Sequence, residues 1–277
     1  MIVNPVISIA KKEILDNIRN KWIIIISFLF AVLTLLVSFA GSMFSTGWRD
    51  LGLTVDAMST LVQYIISIIA LVLGYSAIIG EIEKGSMSSL LSLPATKLEI
   101  LIGKMLGLSA ILSLSILIGF GIAGVVIGIN VPDVDYVGYI IFIAASIFMG
   151  LIFLSLGLFL SCLFKKRSTA MGGAIFVWVL YAILWIFLSA GLLIALGGIT
   201  ITDTINIPDW YFTFQLLNPL TPYATIVSMN VGTMATSIEY GIANPSFYTN
   251  EVMITIMLAW VIVPIILAYL LFRRRDI

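Results

Sequence analysis

Residues 81–104, EIEKGSMSSLLSLPATKLEILIGK, decide how this chain is read. Charges stand at Glu81, Glu83, Lys84, Lys97, Glu99 and Lys104, whereas Ala57 to Gly80 before the stretch and Met105 to Pro132 after it carry none. A charged segment set between two such runs is a connection between two membrane spans, because each run is long enough to cross about 30 Å of hydrocarbon as roughly 20 helical residues. The chain is 61% hydrophobic and 10% charged, against about 45–50% and about 25% in soluble domains.

Outward from that segment, further charge-free runs cover Trp22 to Trp48, Tyr136 to Phe164, Ser168 to Thr202 and Val252 to Phe272. They are continuously apolar, where strands of a membrane barrel would alternate. The expected fold is therefore all-α and polytopic, a single transmembrane domain over 1–277 with spans at 22–44, 58–80, 105–129, 137–164, 169–198 and 252–272. Threading these spans puts every Lys and Arg except Arg49 on one side of the membrane. The positive-inside rule makes that side cytoplasmic, with both termini, the segment 81–104 and the turn Lys165, Lys166, Arg167 on it. The protein is expected in the cell membrane.

Ahead of the first span, 5–21 spaces Val6, Ile7, Ala10, Ile14, Ile18 and Trp22 as one apolar face of a helix, an amphipathic elbow with a basic side suited to an anionic inner leaflet. The outer connection 199–251 is long and holds a seventh charge-free stretch, Trp210 to Ile238, rich in Asn, Pro, Ser and Thr. It is expected to lie on the outer face or dip into it, since a seventh full span would carry Arg273 to Arg275 outside. Gly124 and Gly128 in GxxxG spacing, and Gly172 beside Gly173, suit close helix packing, a dimer seam or a hinge. The single cysteine, Cys162, reads as a core residue, and Trp178, Tyr181 and Trp185 as packing or interface anchors.

Within 81–104, Gly85 breaks the outgoing helix, Ser86 to Leu93 can form a short helix with Met87, Leu90 and Leu91 on its apolar side, and Pro94 ends it. Thr96 with Glu99 is a capping box that starts the helix continuing as the third span. Leu and Met beside Glu and Lys fit a docking knob for another protein, with a loop packed under its own bundle as the alternative. The stretch Tyr75 to Gly107 resembles the ABC-2 type transporter permeases, and the N-terminal region is similar most closely to their nitrous-oxide-reductase maturation branch. That resemblance implies a coupling segment seated on a separate ATPase subunit through Glu81, Glu83, Gly85, Met87, Leu90, Leu91 and Pro94, with Lys104 opening the third span. Leu216 to Tyr223, LLNPLTPY, is similar to an Asn-Pro element before the last span, making Asn218, Pro219, Pro222 and Tyr223 candidates for an outer gate.

The chain has no GxxxxGK[ST] loop and no histidine, so ATP and Mg are expected on the partner ATPase, with no cofactor or metal held by this chain. The resemblance implies the membrane subunit of an ATP-driven exporter that is not itself an enzyme. It also implies a second permease copy, most simply in a homodimer, or else a related permease in a heterodimer; the length and mixed polarity of Trp210 to Ile238 suit an outer gate or an extracytoplasmic partner protein, and no role for nucleic acid is expected. The competing reading is an ATP-independent secondary transporter or channel, which would need coupling groups other than the Asp, Glu, Lys and His that its spans lack.

Overall fold

The computed structural model describes residues 5–19, 22–42, 51–87, 95–130, 135–196, 200–201, 205–231 and 245–275. Apolar runs with no internal polar break become helices, since only intra-segment hydrogen bonds satisfy the backbone in lipid. They are α1 (Pro5–Arg19), α2 (Trp22–Ser42), α3 (Leu51–Tyr75), α4 (Ile79–Glu83), α5 (Lys97–Asn130), α6 (Tyr136–Leu163), α7 (Arg167–Val179), α8 (Trp185–Ala195), α9 (Asp209–Gln215), α10 (Leu220–Asn230) and α11 (Asn250–Arg273). A π-helical turn, Leu180–Leu184, joins α7 to α8, and Thr200–Ile201 pairs antiparallel with Ile205–Asn206 as a two-residue ribbon.

Among the described residues, Leu61–Glu83, Lys97–Val126, Tyr136–Leu163, Arg167–Ala195 and Asn250–Arg273 are helical stretches long and apolar enough to cross a membrane. The apolar helical stretch Ile24–Leu36 lies where the remaining expected span falls. The protein is an all-α, multi-pass membrane protein.

The centre of the bundle is α6, whose Phe142, Met149, Ile152, Phe153, Leu154 and Leu158 are fully buried. Helices α3, α5, α10 and α11 pack around it. Its contact with α3 is set by two glycines. A Cβ on Gly74 would lie 2.7 Å from the Leu154 carbonyl oxygen, and one on Gly157 2.9 Å from the Gly74 Cα, so only hydrogen at both positions permits this backbone-to-backbone approach. Gly124 and Gly128 instead accept the rings of Tyr139 and Tyr136 from α6, so both serve packing within the chain.

The helix of the third span begins where the capping box puts it, with the Thr96 amide donating to Glu99 Oε2 at 2.7 Å and the Glu99 amide to Thr96 Oγ1 at 3.3 Å. At 34 residues α5 is about 51 Å long at 1.5 Å per residue, some 20 Å more than the hydrocarbon needs. One feature departs from the sequence reading: α1 docks on α5 through a different face from the one expected. A Cβ on Gly103 would lie 2.8 Å from Ile9 Cβ, and one on Gly107 2.8 Å from the Ala10 carbonyl. The face that meets the bundle therefore carries Ile9, Ala10 and Glu13, while Ile7 and Ile18 from the expected apolar stripe are exposed.

Among its described residues, the connection 199–251 holds the two-residue ribbon and two short helices. Helix α9 ends at a turn before Pro219, and α10 enters the bundle between α6 and α11 with Leu220, Pro222, Tyr223, Ile226 and Val227 buried. At 11 residues α10 is about 16 Å long, half a membrane thickness.

Candidate coupling site

The end of α3 does not run straight into α4. At the break, the amides of Ile78 and Ile79 have no partner within a helix, and both donate to Ser161 Oγ on α6, at 2.9 and 3.0 Å. One hydroxyl thereby fixes where α4 begins. Gly85, at φ +73°, ends it in the left-handed region that glycine enters without strain, and the chain turns helical again at Ser86 and Met87. A helix of only five residues is thus bounded by a hydroxyl contact at its start and a glycine turn at its end.

Both acidic residues of α4 reach other helices. Glu81 Oε1 accepts from Lys104 Nζ of α5 at 2.9 Å and from Lys12 Nζ of α1 at 3.2 Å. Lys104 Nζ also donates to Glu13 Oε1 of α1 at 2.5 Å. The Lys104 side chain is 1% exposed and that of Glu13 11%. Burying two carboxylates and an ammonium is costly unless each is paired, so this arrangement fixes α1, α4 and α5 relative to one another. Glu83 Oε1 accepts from the Arg167 amide at 2.7 Å, capping the N-terminus of α7 from a different helix, where a carboxylate also meets the positive end of the helix dipole. The Arg167 guanidinium lies 5.9 Å from the Tyr75 ring centroid. On the far side of the same layer, Lys97 Nζ donates to the Arg275 carbonyl at 2.7 Å and stands 5.7 Å from the Phe272 ring centroid, tying the start of α5 to the end of α11.

Glu81, Glu83, Gly85 and Met87 are thus brought together with Arg167, while Lys165 and Lys166 stand exposed beside them. Met87 is 1% exposed and belongs to the chain's own core, so on this residue the packed-under-the-bundle alternative holds. Leu90, Leu91 and Pro94 lie outside the described residues. Glu13 escaped the sequence reading because a lone carboxylate on a basic amphipathic helix looks solvated; its position four residues before Asn17, and its register with Ile9 and Ala10, were the available signals.

The candidates in the outer connection sit apart, near α10. Asn218 Nδ2 donates to the Tyr181 carbonyl at 3.1 Å, and Asn218 Oδ1 accepts from the Leu220 amide at 2.9 Å. Tyr181 lies in the π-helical turn, whose wider spacing frees carbonyls for such partners. Pro219 and Pro222 are buried, and the Tyr223 hydroxyl is 3.4 Å from Ser146 Oγ. A cavity of about 510 Å³ opens beside them, lined by Tyr181, Trp185, Tyr211, Gln215 and Tyr248 among others. Burial pushes the Tyr248 hydroxyl up to about 12, so it stays protonated and donates to the Phe212 carbonyl at 2.9 Å.

Residues 7–277 match the family model described as ABC-2 family transporter protein. The chain belongs to the ABC-2 transporter family. Two relatives named probable ABC transporter permease protein NosY are similar to it along their whole length. The one from Stutzerimonas stutzeri is 33% identical over 99% of both chains, and the one from Pseudomonas aeruginosa is 32% identical over 99% of this chain and all of the relative. The ABC-2 chain is accordingly a membrane permease subunit that works with an ABC ATPase subunit. Its family membership displaces the ATP-independent reading.

Proposed function

We propose that this chain is the membrane half of an ATP-driven exporter and that the ATPase subunit, holding ATP and Mg, docks on the cytoplasmic segment 81–104. Both termini lie in the cytoplasm, two copies of the chain form the pathway, and the outer connection 199–251 receives an extracytoplasmic partner or closes the outer gate through Asn218, Pro219, Pro222 and Tyr223. The resemblance of the N-terminal region to the permeases of the nitrous-oxide-reductase maturation branch supplies a functional comparison, and the two similar proteins named NosY are ABC transporter permeases as well.

The observation that carries the docking reading is the pair of outgoing contacts from α4. A push on the residues after Gly85 reaches α4, which is too short and too firmly capped to absorb it. Glu81 hands the displacement to α5 and α1 through Lys104, and Glu83 hands it to α7 through the Arg167 amide. The third and fifth spans thereby move with the second, which is the kind of packed, bistable rearrangement that opens one face of a bundle while closing the other. In this account Glu81 and Glu83 transmit, Leu90, Leu91 and Pro94 make the contact, and Met87 anchors the knob to the bundle.

Co-expression with the ATPase and purification through a tag on this subunit tests the reading. Replacing Leu90 and Leu91 by Glu should abolish recovery of the ATPase while leaving membrane insertion intact. Unchanged recovery and unchanged ATP hydrolysis in that variant would remove the docking assignment.

A further inference from the structure

We propose that the cavity beside the Glu81–Lys104 bridge holds the headgroup of an inner-leaflet aminophospholipid, with its phosphate on Lys84 and Arg167 and its ammonium on Glu81. The cavity measures about 250 Å³, well beyond the roughly 15 Å³ that holds one water. Its walls come from α1, α3, α4, α5 and α7 and carry both signs of charge. The signs do not cancel internally. Lys104 is taken by Glu13 and Glu81, whereas Lys84 and the Arg167 guanidinium make no ion pair with a carboxylate among the described residues. The Tyr75 ring that lines the same cavity holds the Arg167 guanidinium in place, leaving its N–H groups for an acceptor. Arginine's planar fork suits phosphate oxygens.

A purely anionic ligand would answer only half of this arrangement. Glu81 gives its Oε1 to two lysines, and its Oε2 is buried without a hydrogen-bond partner. A buried carboxylate oxygen calls for a donor, and a primary ammonium on the ligand supplies one after a small rotation of the carboxylate. A quaternary ammonium has no N–H and cannot. The same cavity has an apolar wall of Val72, Leu73 and Leu108, on the membrane-spanning parts of α3 and α5, which a glycerol and acyl chain would cover and a soluble anion would not. Basic pockets between membrane helices on the cytoplasmic side are where lipid headgroups bind. The proposal takes only its leaflet from the orientation given above and is independent of ATPase docking.

The test uses the full chain, purified in detergent, stripped of lipid and offered phosphatidylethanolamine, phosphatidylglycerol or phosphatidylcholine, with retained lipid counted by native mass spectrometry. Phosphatidylethanolamine should be retained several-fold better than the other two. Lys84→Ala with Arg167→Ala should erase that preference, and Arg167→Lys should keep part of it. Lys84 and Arg167 are exposed residues, so the double variant should remain folded, which its elution volume checks. Equal retention of all three lipids, or an unchanged preference in the double variant, overturns the site. Phosphatidylglycerol bound as well as phosphatidylethanolamine overturns the assignment of the ammonium to Glu81. Stabilisation by inorganic phosphate alone, with no preference among lipids, assigns the cations to a free anion and overturns the lipid.

Discussion

Lys104→Met should be among the most damaging single changes at the α4 end of the bundle, although the residue sits at the edge of a span and methionine is nearly isosteric. The structure says why. Lys104 neutralises two carboxylates, and their fates differ when it is lost. Glu81 keeps Lys12 at 3.2 Å, and Lys12 is 43% exposed, so water and that lysine share the load; an exposed pair of this kind is worth about 0–1 kcal/mol. Glu13 keeps no cation among the described residues and is only 11% exposed in its side chain. Removing one partner of a buried pair costs about 3–5 kcal/mol, and nearly all of that falls on Glu13. Adding Glu13→Gln should therefore recover about 0.5–3 kcal/mol, the usual range for coupled neighbours. Glu13→Gln alone should cost less than Lys104→Met, because Lys104 still has Glu81 at 2.9 Å. The assay is thermal unfolding of the purified subunit in detergent, ranking the wild type, both singles, the double and Lys12→Met as the exposed control. Equal midpoints for Lys104→Met and Lys12→Met, or a double variant worse than the sum of its singles, would refute the reasoning.

Gly74→Val should separate α3 from α6, since even a Cβ would lie 2.7 Å from the Leu154 carbonyl; overpacking of this kind costs about 1–3 kcal/mol or more, read as lowered monodisperse yield, with Gly80→Ala, whose nearest neighbour is a side-chain carbon at 3.5 Å, as the tolerated control. Glu83→Ala removes the cap on the Arg167 amide and should cost about 0.5–2 kcal/mol, while ATP hydrolysis by the assembled complex becomes less responsive to this subunit; full retention of that response would confine Glu83 to capping. Asn218→Leu leaves the Tyr181 carbonyl and the Leu220 amide without their partner, at about 1–3 kcal/mol for each buried group left unpaired. Its destabilisation should appear as faster hydrogen exchange across α10 and the π-helical turn rather than across α1 and α5.

The spans were legible because their signal is one-dimensional. A run such as Tyr136 to Phe164 needs no partner to be recognised, since hydrocarbon itself is the partner and length alone decides. Capping is equally local, and Thr96 with Glu99 is found where the spacing puts it. What could not be read was pairing at a distance. Nothing in the neighbourhood of Glu13 announces that it meets Lys104, 91 residues away, and Ser161 reads as an ordinary small polar residue until the broken end of α3 is laid against it.

The same distinction explains which glycines mattered. Gly124 and Gly128 have the spacing that attracts notice, yet they receive tyrosine rings. Gly74 and Gly157 have no GxxxG partner on their own helices, and their pairing is visible only across the α3–α6 contact. Membrane helices gain little from burying apolar area against one another, so close approach and a few polar ties decide their arrangement. In this chain the ion pairs concentrate at the 81–104 end, where Glu81, Glu83 and Ser161 connect a five-residue helix to four longer ones. The α10 end is tied by neutral hydrogen bonds instead, from Asn218 to the Tyr181 carbonyl and from the Tyr248 hydroxyl to the Phe212 carbonyl. That difference in chemistry is the physical ground on which the proposal places the input of work at α4 and the response near α10.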